Sequence, residues 1–309
     1  MLTVFGSINL DIAIRVTRLP LPGETVLGSR ALVSPGGKGA NQAHAARLFG
    51  ATTRLVGAVG HDGFAANALQ QLRESGVDLS AVRSLDEADT GLATIAVADG
   101  GENSIIVAPG ANRLAQADWV SPQLLSTTRM LLLQMEVPIE QSMRLARRAK
   151  ESGCHVMLNA APMADARAIE AAAIDTLIVN ETEMAQLCSA WHGMGVRPAE
   201  QAAWFARHWA IRVVVTLGAE GAHCVNAAGR QVHCGGLAGE VTDTTGAGDT
   251  FTGVFAAALA EGRRDDEALR CAVVAAGLAC RRPGAQAAQP RGAEIEAGMR
   301  EHDERSCFE

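Results

Sequence analysis

The sequence predicts an α/β protein in which helices cover both faces of a mainly parallel β-sheet. From residue 130 onward, short apolar runs alternate with helical patterns of about 10 to 15 residues, as in strand–helix–strand units. Aromatic residues make up only 4% of the 309 residues and tyrosine is absent, so small aliphatic side chains must fill the interior. Such side chains suit strands that are buried on both faces. We therefore predict one α/β domain over residues 1–309.

The first part of the chain contains separate strand and helix signals. Glycines at positions 50 and 76 follow two helical patterns, and glycine is the common residue just beyond a helix C-terminus. The predicted strands are residues 2–5, 12–16 and 53–59, and the predicted helices are residues 39–50 and 64–75.

Two segments, approximately residues 12–34 and 90–109, carry β-type patterns instead. The second has alternating runs at residues 92–97 and 103–107, joined by Asp99-Gly100-Gly101-Glu102, which is a hairpin signal. We predict that both segments are insertions and that they pair into a small β-sheet that forms a lid.

The remainder of the chain returns to the alternating pattern. The predicted strands are residues 130–134, 156–159, 176–180 and 213–217, and the predicted helices are residues 139–152, 164–172, 181–187, 199–209 and 250–259.

Charge and hydropathy exclude several classes of protein. The formal net charge is −7, and no stripe of Lys and Arg would neutralise several phosphates, so we expect no nucleic-acid partner. The N-terminus has neither a basic region nor a signal-peptide cleavage site, and no apolar run approaches the roughly 20 residues that cross a bilayer. We expect no membrane association and a cytoplasmic location.

Seven scattered cysteines, with no CxxC motif, suggest free buried thiols in a reducing compartment. A zinc site would be conceivable if His223-Cys224 and His233-Cys234 paired as a hairpin across residues 226–230. Because adjacent residues on a strand point to opposite faces, however, each pair could not easily converge on one metal. Ordinary strand residues are the favoured interpretation.

A glycine-rich stretch, Asp243-Thr244-Thr245-Gly246-Ala247-Gly248-Asp249, precedes a predicted helix. Backbone N–H groups at a helix N-terminus, reinforced by the helix dipole, form an anion site, and Asp249 beside it could accept the proton of an attacking hydroxyl. The alternative is a plain capping motif in which Asp249 satisfies free N–H groups.

A second glycine-rich turn, Ser34-Pro35-Gly36-Gly37-Lys38-Gly39-Ala40-Asn41-Gln42, also enters a helix. It lacks the spacing of a Walker A loop, and Lys38 and Asn41 would offer donors to a polyol packed on bare backbone. The alternative is a tight turn that needs glycine for positive φ, with Lys38 solvated.

Polar residues also follow several predicted strands, where open α/β sheets bind their ligands. Asn9 and Asp11 follow the first strand, Glu136 follows the strand at residues 130–134, and Asn180 and Glu183 follow the strand at residues 176–180. Asp11 could accept bonds from two neighbouring hydroxyls, and the later acids could hold Mg²⁺ through water. Turn formation and helix capping are the alternatives at these positions.

The two glycine-rich stretches resemble the two signatures of the ribokinase-like (PfkB) carbohydrate kinases. Further matches fall in the family's order along essentially the whole chain: residues 6–11, 21–25, 110–112, 180–183, 216–218 and 284–286. The resemblance implies a ribokinase-like three-layer α/β/α fold with a β-sheet lid, and ATP-dependent phosphorylation of a small sugar.

The resemblance also implies roles for individual residues. Asp249 would remove the proton from the sugar's terminal (O5) hydroxyl, and Gly246, Ala247 and Gly248 would form the anion hole. The implied sugar-holding residues are Asn9, Asp11, Gly37, Lys38, Asn41, Glu136 and Asp249, with Ala93 and Ile105 of the lid over the sugar's apolar face. This set favours D-ribose.

For the nucleotide, the resemblance implies a phosphate and magnesium motif at Asn180 and Glu183, with Glu183 acting through water. ATP would also contact Thr216, Gly218, Gly221 and Gly248. A monovalent cation, usually potassium, would be held by the carboxylate of Asp243 and by main-chain oxygens of Thr245, Cys280, Pro283 and Ala285.

The chain departs from the family pattern at two places. Ala287 and Ala288 stand where the family typically has Pro-Ser, so a hydroxyl near the ion is lost while the backbone ligands remain. Val273 replaces a polar residue or histidine often found near the adenine.

Several alternatives remain open at this stage. The substrate could be 2-deoxyribose, a ketohexose or a nucleoside, and a sugar-sensing protein without catalysis could use the same fold. A dinucleotide-dependent oxidoreductase is disfavoured because no GxGxxG follows the first strand. The resemblance also implies a homodimer that pairs through the lid, and such pairing would cover the unpaired edges of the lid strands.

Overall fold

The computed structural model describes residues 1–306, with side chains as far as His302. Two β-sheets and ten α-helices occur in this part of the chain. The strands are β1 (Leu2–Phe5), β2 (Asn9–Val16), β3 (Gly28–Gly36), β4 (Thr53–Gly60), β5 (Asp78–Leu85), β6 (Gly91–Ala98), β7 (Asn103–Ala108), β8 (Met130–Leu133), β9 (His155–Asn159), β10 (Thr176–Asn180), β11 (Arg212–Thr216), β12 (Ala222–Val225) and β13 (Gln231–Cys234).

The helices lie mostly between these strands, as the alternating sequence pattern predicts. They are α1 (Lys38–Phe49), α2 (Ala65–Ala68), α3 (Gln70–Ser75), α4 (Pro122–Ser126), α5 (Ile139–Glu151), α6 (Glu181–Trp191), α7 (Pro198–Trp209), α8 (Ala247–Ala260), α9 (Asp265–Ala279) and α10 (Gly292–Ser306). No helix among the described residues is both long enough and apolar enough to cross a membrane.

The large sheet has nine strands in the order β13-β12-β11-β10-β9-β8-β1-β4-β5. From β11 to β5 every pair of neighbours is parallel, whereas the pairs β11–β12 and β12–β13 are antiparallel, so β12 runs against the other strands. Because the parallel strands share one direction, the chain segments that follow β1, β8, β9, β10 and β11 meet along one edge of the sheet.

Helices cover both faces of the large sheet, which gives the predicted three-layer α/β/α architecture. Strand residues alternate between two hydrophobic clusters: Met130 and Leu132 pack with α1, α8 and α9 on one face, whereas Leu131 and Leu133 pack with α5, α6 and α7 on the other. The α1, α8 and α9 layer is rich in alanine, so these helices approach one another and the sheet closely. This packing fixes the N-termini of α1 and α8 near the sheet edge.

The second sheet has four strands in the order β3-β2-β6-β7. Each of the two segments predicted as insertions contributes two strands, and the central pair β2 and β6 is parallel. We refer to these four strands as the lid sheet.

Some sequence-based boundaries are wrong. The helix predicted at residues 164–172 is absent, and two short 3₁₀ turns, Ala166–Ala168 and Ala171–Ala173, stand there. The side chain of Asp165 accepts a hydrogen bond from the Arg167 N–H, and this local bond competes with a regular helix. The helix predicted at residues 64–75 is interrupted at Leu69, which separates α2 from α3.

Two further elements differ from the prediction. Strand β5 was not predicted, because its surface-facing residues weaken the apolar pattern. Strand β2 begins at Asn9 rather than at residue 12. Asn9 and Asp11 are therefore strand residues of the lid sheet and do not lie in a turn after β1.

The predicted hairpin of β12 and β13 forms, but its cysteines and histidines do not converge. His223 lies opposite His233, with ring centroids 4.5 Å apart, whereas Cys224 lies opposite Val232. Within residues 1–306, no group of three or more His, Cys, Asp or Glu side chains is placed to hold a metal ion. Four of the six described cysteines are buried, and Cys307 lies outside the described residues.

Candidate active site

The N-terminus of α1 packs directly on the chain that leaves β1. A Cβ atom on Gly39 would lie 2.6 Å from the backbone of Gly6 and Ser7, so only glycine permits this contact. The Ser7 hydroxyl accepts the Gly39 N–H at 3.2 Å and donates to Glu136 Oε2 at 2.5 Å. Glu136 Oε2 also accepts the Lys38 N–H at 3.0 Å. Glu136 therefore joins the end of β8 to the glycine-rich turn.

Asp11 lies on β2, in the row of the lid sheet that also contains Ala93 on β6 and Val107 on β7. Residues directly opposite one another project on the same face, so Asp11 and Ala93 face the same way, and so does Ile105, two residues before Val107. Burial, with the charges of Glu136 and Asp249, raises the pKa of Asp11 to about 6.

The lid strand β2 is fixed at its beginning by Asn112. The Asn112 amide donates to Asn9 Oδ1 at 2.7 Å, and its carbonyl oxygen accepts the Ile8 N–H at 2.9 Å. Asn9 is buried, and a Cβ on Gly91 of β6 would collide with its side chain. The side-chain oxygen of Asn9 therefore already accepts a hydrogen bond from Asn112.

Asp249 lies in the first turn of α8, whose N-cap residue Gly246 has φ 72°. This left-handed conformation favours glycine. The Ala247 N–H donates to the Thr244 carbonyl at 3.2 Å, so this predicted member of the anion hole already has a partner. Gly248 is exposed at the helix N-terminus and lines two cavities, whereas Asp249 is 7% exposed.

Both carboxylate oxygens of Asp249 accept hydrogen bonds from side-chain amides of α1. Asn41 Nδ2 donates to Oδ2 at 3.0 Å, and Gln42 Nε2 donates to Oδ1 at 2.9 Å. The two amides also form hydrogen bonds with residues further from Asp249. Gln42 bonds to Asn159 and Gln134, and Asn41 Oδ1 accepts from Gln286 at 3.1 Å. The carboxylate is therefore held in one orientation.

A small cavity of about 130 Å³ lies next to Asp249 and contains the side chain of Lys38. The negative charge of Asp249 raises the pKa of Lys38, although burial opposes the shift, and the charges of Glu136 and Glu183 act in the same direction as Asp249. Lys38 thus carries a firmly held positive charge that Asp249, Glu136 and Glu183 stabilise.

Asn180 and Glu183 border the same small cavity and form a capping box at the start of α6. Asn180 Oδ1 accepts the Glu183 N–H at 2.8 Å, and Glu183 Oε2 accepts the Asn180 N–H at 2.9 Å. Burial raises the pKa of Glu183. Asn180 and Glu183 therefore do cap the helix, as the alternative interpretation of the sequence proposed. The same hydrogen bonds hold the Glu183 carboxylate beside the cavity.

A larger cavity of about 490 Å³ adjoins the small one, and Thr216 and Gly248 line both. Its walls are mainly small and apolar, and they include Gly218, Gly221 and Val273. The volume and the apolar character suit a purine base and its ribose. The two cavities form one cleft that ends at Asp249.

Asp243 connects the loop before α8 to the loop after α9. Its Oδ1 accepts from the N–H and the hydroxyl of Thr245 at 2.9 and 2.6 Å, and its Oδ2 accepts the Gly284 N–H at 2.8 Å. Burial alone would raise the pKa of Asp243, but these bonds lower it. The carbonyl of Cys280 accepts the Thr242 and Asp243 N–H groups. Ala285 is buried beside Gly246, and Pro283 is exposed.

Sequence reasoning missed the buried polar residues that hold this site together. They are Ser7, Gln42, Asn112, Gln134, Asn159 and Gln286, all less than 9% exposed. A weak signal existed, since several stand in or beside the predicted strand ends. Their partners, however, are distant in sequence, so only the fold shows that they contact one another.

Comparisons with known proteins agree with this geometry. The model of the pfkB family of carbohydrate kinases matches residues 1–291. A ribokinase of Lactococcus lactis is 34% identical over 97% of this chain and 97% of its own. A crystal structure of a Thermotoga maritima ribokinase superposes with a TM-score of 0.88 at 32% identity, covering 97% of this chain and 99% of that one. An Arabidopsis thaliana ribokinase complexed with ribose and ATP gives 0.87 at 31% identity, covering 96% and 98%.

The fold and the site define a sugar kinase with a two-part cleft. The chain belongs to the PfkB family of carbohydrate kinases and is an ATP-dependent sugar kinase. The predicted family and fold class are thereby confirmed.

Proposed function

We propose that this protein transfers the γ-phosphoryl group of MgATP to the 5-hydroxyl of D-ribose. The observation that carries the proposal is the position of Asp249, which lies at the closed end of the nucleotide cleft within electrostatic reach of Asp11 in the lid sheet. Relatives that cover nearly the whole chain include ribokinases at 32–36% identity and deoxyribokinases at 29% identity, and the Arabidopsis thaliana ribokinase was crystallised with ribose and ATP.

In this mechanism Asp249 is the general base. The 5-hydroxyl donates to a carboxylate oxygen of Asp249 and gives up its proton to it as the O5–P bond forms. The bond between the γ-phosphorus and the bridging oxygen breaks at the same time, and ADP leaves. Because Asn41 and Gln42 each bond to one oxygen of the carboxylate, the carboxylate does not have to reorient before it accepts the proton.

The transferring phosphoryl group carries negative charge that the protein must balance. The N-terminus of α8 at Gly246, Ala247 and Gly248 supplies the positive end of the helix dipole, and Lys38 supplies a full charge in the small cavity. Because the Ala247 N–H is bonded to Thr244, we assign the closest backbone contact to Gly248.

The sugar lies between the lid sheet and the glycine-rich turn. Asp11 accepts from two hydroxyls, and Asn9 and Asn41 contact others. Gly37, whose φ is 87°, lets the turn pack on the backbone of residues 7–9 beside the sugar. Glu136 is bonded to Ser7 and to the Lys38 N–H, so it acts on the sugar mainly by shaping this turn. Ala93 and Ile105 lie on the face of the lid sheet that carries Asp11, and there they cover the apolar side of the sugar.

The residues present fit a magnesium ion held through water. Glu183 is buried beside the small cavity, one of its oxygens is fixed by the cap bond to Asn180, and oxygen ligands are those that Mg²⁺ prefers. When bound, the ion neutralises the charge of the phosphates. Asn180 and Glu183, which line the small cavity together with Asp249, would hold the ion through its water ligands.

The loops around Asp243 fit a monovalent cation in their donor chemistry. A carboxylate and the main-chain oxygens of Thr245, Cys280, Pro283 and Ala285 are all hard oxygen donors. The Cys280 oxygen already accepts two N–H groups, which makes it the weakest of the set. When bound, potassium would stabilise the loop that holds Gly246. The effect of potassium on catalysis is tested by comparing the phosphorylation rates in potassium and tetramethylammonium salts.

We also propose that two copies of the chain pair through the lid sheets. The face opposite Asp11 exposes Val33 of β3 and Ile106 of β7, which are 55% and 71% accessible. A sheet with two exposed edges and an apolar outer face is better covered by a second sheet than left in water.

Closure of the lid would exclude water, which competes with the sugar for the phosphoryl group.

A panel of acceptors tests the proposed substrate. ADP release is measured with D-ribose, 2-deoxyribose, fructose and adenosine, and the product is identified by ³¹P NMR. We expect the highest kcat/KM with ribose and a 5-phosphate product. A higher kcat/KM with 2-deoxyribose or adenosine would show that ribose is not the preferred substrate. Saturable ribose binding without any ADP release would indicate a sugar-sensing protein.

A further inference from the structure

We propose that Gln42 is a positioning residue that fixes the catalytic orientation of Asp249 without touching either substrate. The inference rests on the proposed role of Asp249 as general base. Gln42 is fully buried at 0% exposure, on the first helix of the chain, and its amide donates to the Asp249 carboxylate in the interior of the protein. Neither cavity at the site has Gln42 in its wall.

The hydrogen bonds of Gln42 define which way its amide points. Gln42 Nε2 donates to Asp249 Oδ1 at 2.9 Å and to Asn159 Oδ1 at 3.0 Å, while Gln42 Oε1 accepts from Gln134 Nε2 at 2.7 Å. Rotating the amide by half a turn would place its oxygen against the Asp249 carboxylate and its NH₂ group against that of Gln134. Both contacts would then be repulsive, so the network permits one arrangement.

Gln134 is the outer member of this chain: its Nε2 donates to Gln42, while its Oε1 is buried without a hydrogen-bond partner among the described residues. It follows β8, is 0% exposed, and fills the space that Gly6 leaves, since a Cβ on Gly6 would lie 1.9 Å from Gln134 Oε1. The orientation of Asp249 is thus set through Gln42 by a residue at the centre of the large sheet. Asn41 cannot replace this support, because it bonds to the other carboxylate oxygen.

The inference predicts a loss in kcat rather than in substrate binding. In Gln42→Met the side chain keeps its size but donates nothing, so Asp249 Oδ1 is released and the carboxylate can rotate. A displacement of about 1 Å at a reacting group lowers rates by roughly a hundredfold. We expect kcat to fall about 10- to 100-fold in Gln42→Met, with the KM values for ribose and ATP within about twofold of the parent enzyme.

The experiment is a double-mutant cycle in the full-length chain, measuring kcat and both KM values for Gln42→Met, Asp249→Asn and the double variant. If Gln42 acts only through Asp249, adding Gln42→Met to Asp249→Asn lowers kcat no further. Gln134→Met, which removes the amide that orients Gln42, should lower kcat by a smaller factor. Thr3→Val is the matched control, since it removes a buried hydrogen bond at the opposite end of β1.

The possible results separate this inference from the proposed function. If Asp249→Asn keeps full activity, the assignment of the base is wrong and the inference falls with it. If Asp249→Asn is inactive but Gln42→Met keeps the parent kcat, only the role of Gln42 is wrong. A Gln42→Met variant that loses thermal stability like Thr3→Val and shows no change in kcat would indicate a purely structural amide.

Discussion

Asp249 acts electrostatically on Asp11 although Asp249 belongs to helix α8, Asp11 belongs to strand β2 of the lid sheet, and the two residues lie toward opposite ends of the chain. After burial and the charge of Glu136, the charge of Asp249 is the third contribution that raises the pKa of Asp11 to about 6. One acid lies in the lid sheet and the other at the N-terminus of α8. The sugar site that we propose therefore lies where two acids from separate elements influence each other, and its chemistry depends on pH.

The KM for ribose should depend on the protonation of Asp11. Below a pH of about 6 this carboxyl gains a proton and loses much of its ability to accept the sugar's hydroxyls. We expect KM for ribose to be nearly constant above pH 7 and to rise about tenfold per pH unit below pH 6. Steady-state kinetics from pH 5 to 8 measure this. In Asp11→Asn the KM should be high at every pH, and an unchanged acid limb in that variant would assign the limb to another group.

Asp11→Asn should also stabilise the fold at neutral pH. Because the pKa of Asp11 is raised in the folded protein, stability is lost as pH rises from about 4 through 6, where the folded carboxyl is forced to ionise. A shift of about two pKa units corresponds to roughly 2–3 kcal/mol. Urea unfolding at pH 7 should therefore show a more stable variant, and the gain should shrink at pH 4. The exposed Asp99→Asn is the control; an equal gain there would point to net charge instead.

Gly246→Ala tests whether the left-handed turn before α8 matters for catalysis. Alanine at φ 72° costs about 1–2 kcal/mol, and its Cβ would also lie 3.0 Å from Ala285. We expect lower stability together with a fall in kcat, because the anion site moves with the turn. Gly229→Ala has a similar φ of 82° and open space around the new Cβ, so it should lose stability but keep its kcat. Equal kcat values in the two variants would argue against the anion-site role.

Ile106→Arg tests the proposed pairing through the lid. The parent chain should be a dimer by light scattering at micromolar concentration, and the variant should be a monomer, because burying an unpaired arginine in the pairing face is unfavourable. The matched control is Val196→Arg, at a side chain that is 92% exposed far from the lid sheet. A parent protein that is monomeric at these concentrations would contradict the proposal.

The sequence was most informative where function requires unusual residues. Glycines in front of two helices, with Lys38 and Asp249 beside them, stand out in an alanine-rich chain and indicate the two halves of the cleft. The lid strands were predictable because β-type alternation interrupts a helix–strand pattern. The start of strand β2 was harder to predict from the sequence. Asn9 and Asp11 resemble turn residues when their partners on β3 and β6 are unknown.

The amide network around Asp249 could not be predicted from the sequence. Gln134 and Asn159 stand in no local motif, and although Gln42 ends the second glycine-rich stretch, nothing there indicates its partners. Glutamine is usually exposed, so the burial of these residues follows only from the packing of α1 and α8 on the sheet. At residues 166–173 the sequence has a helical pattern that the structure does not follow. Asp165 accepts a local hydrogen bond from the Arg167 N–H there, and short turns form in place of a helix.

The most direct test of the mechanism is the kcat of Asp249→Asn with saturating ribose and MgATP. Removing a general base lowers rates by about 10² to 10⁴, and we expect a loss in the upper part of that range with the KM values for ribose and ATP changed only a few-fold. A variant that retains kcat within about tenfold of the parent would contradict the assignment of Asp249 as the base that activates the sugar hydroxyl.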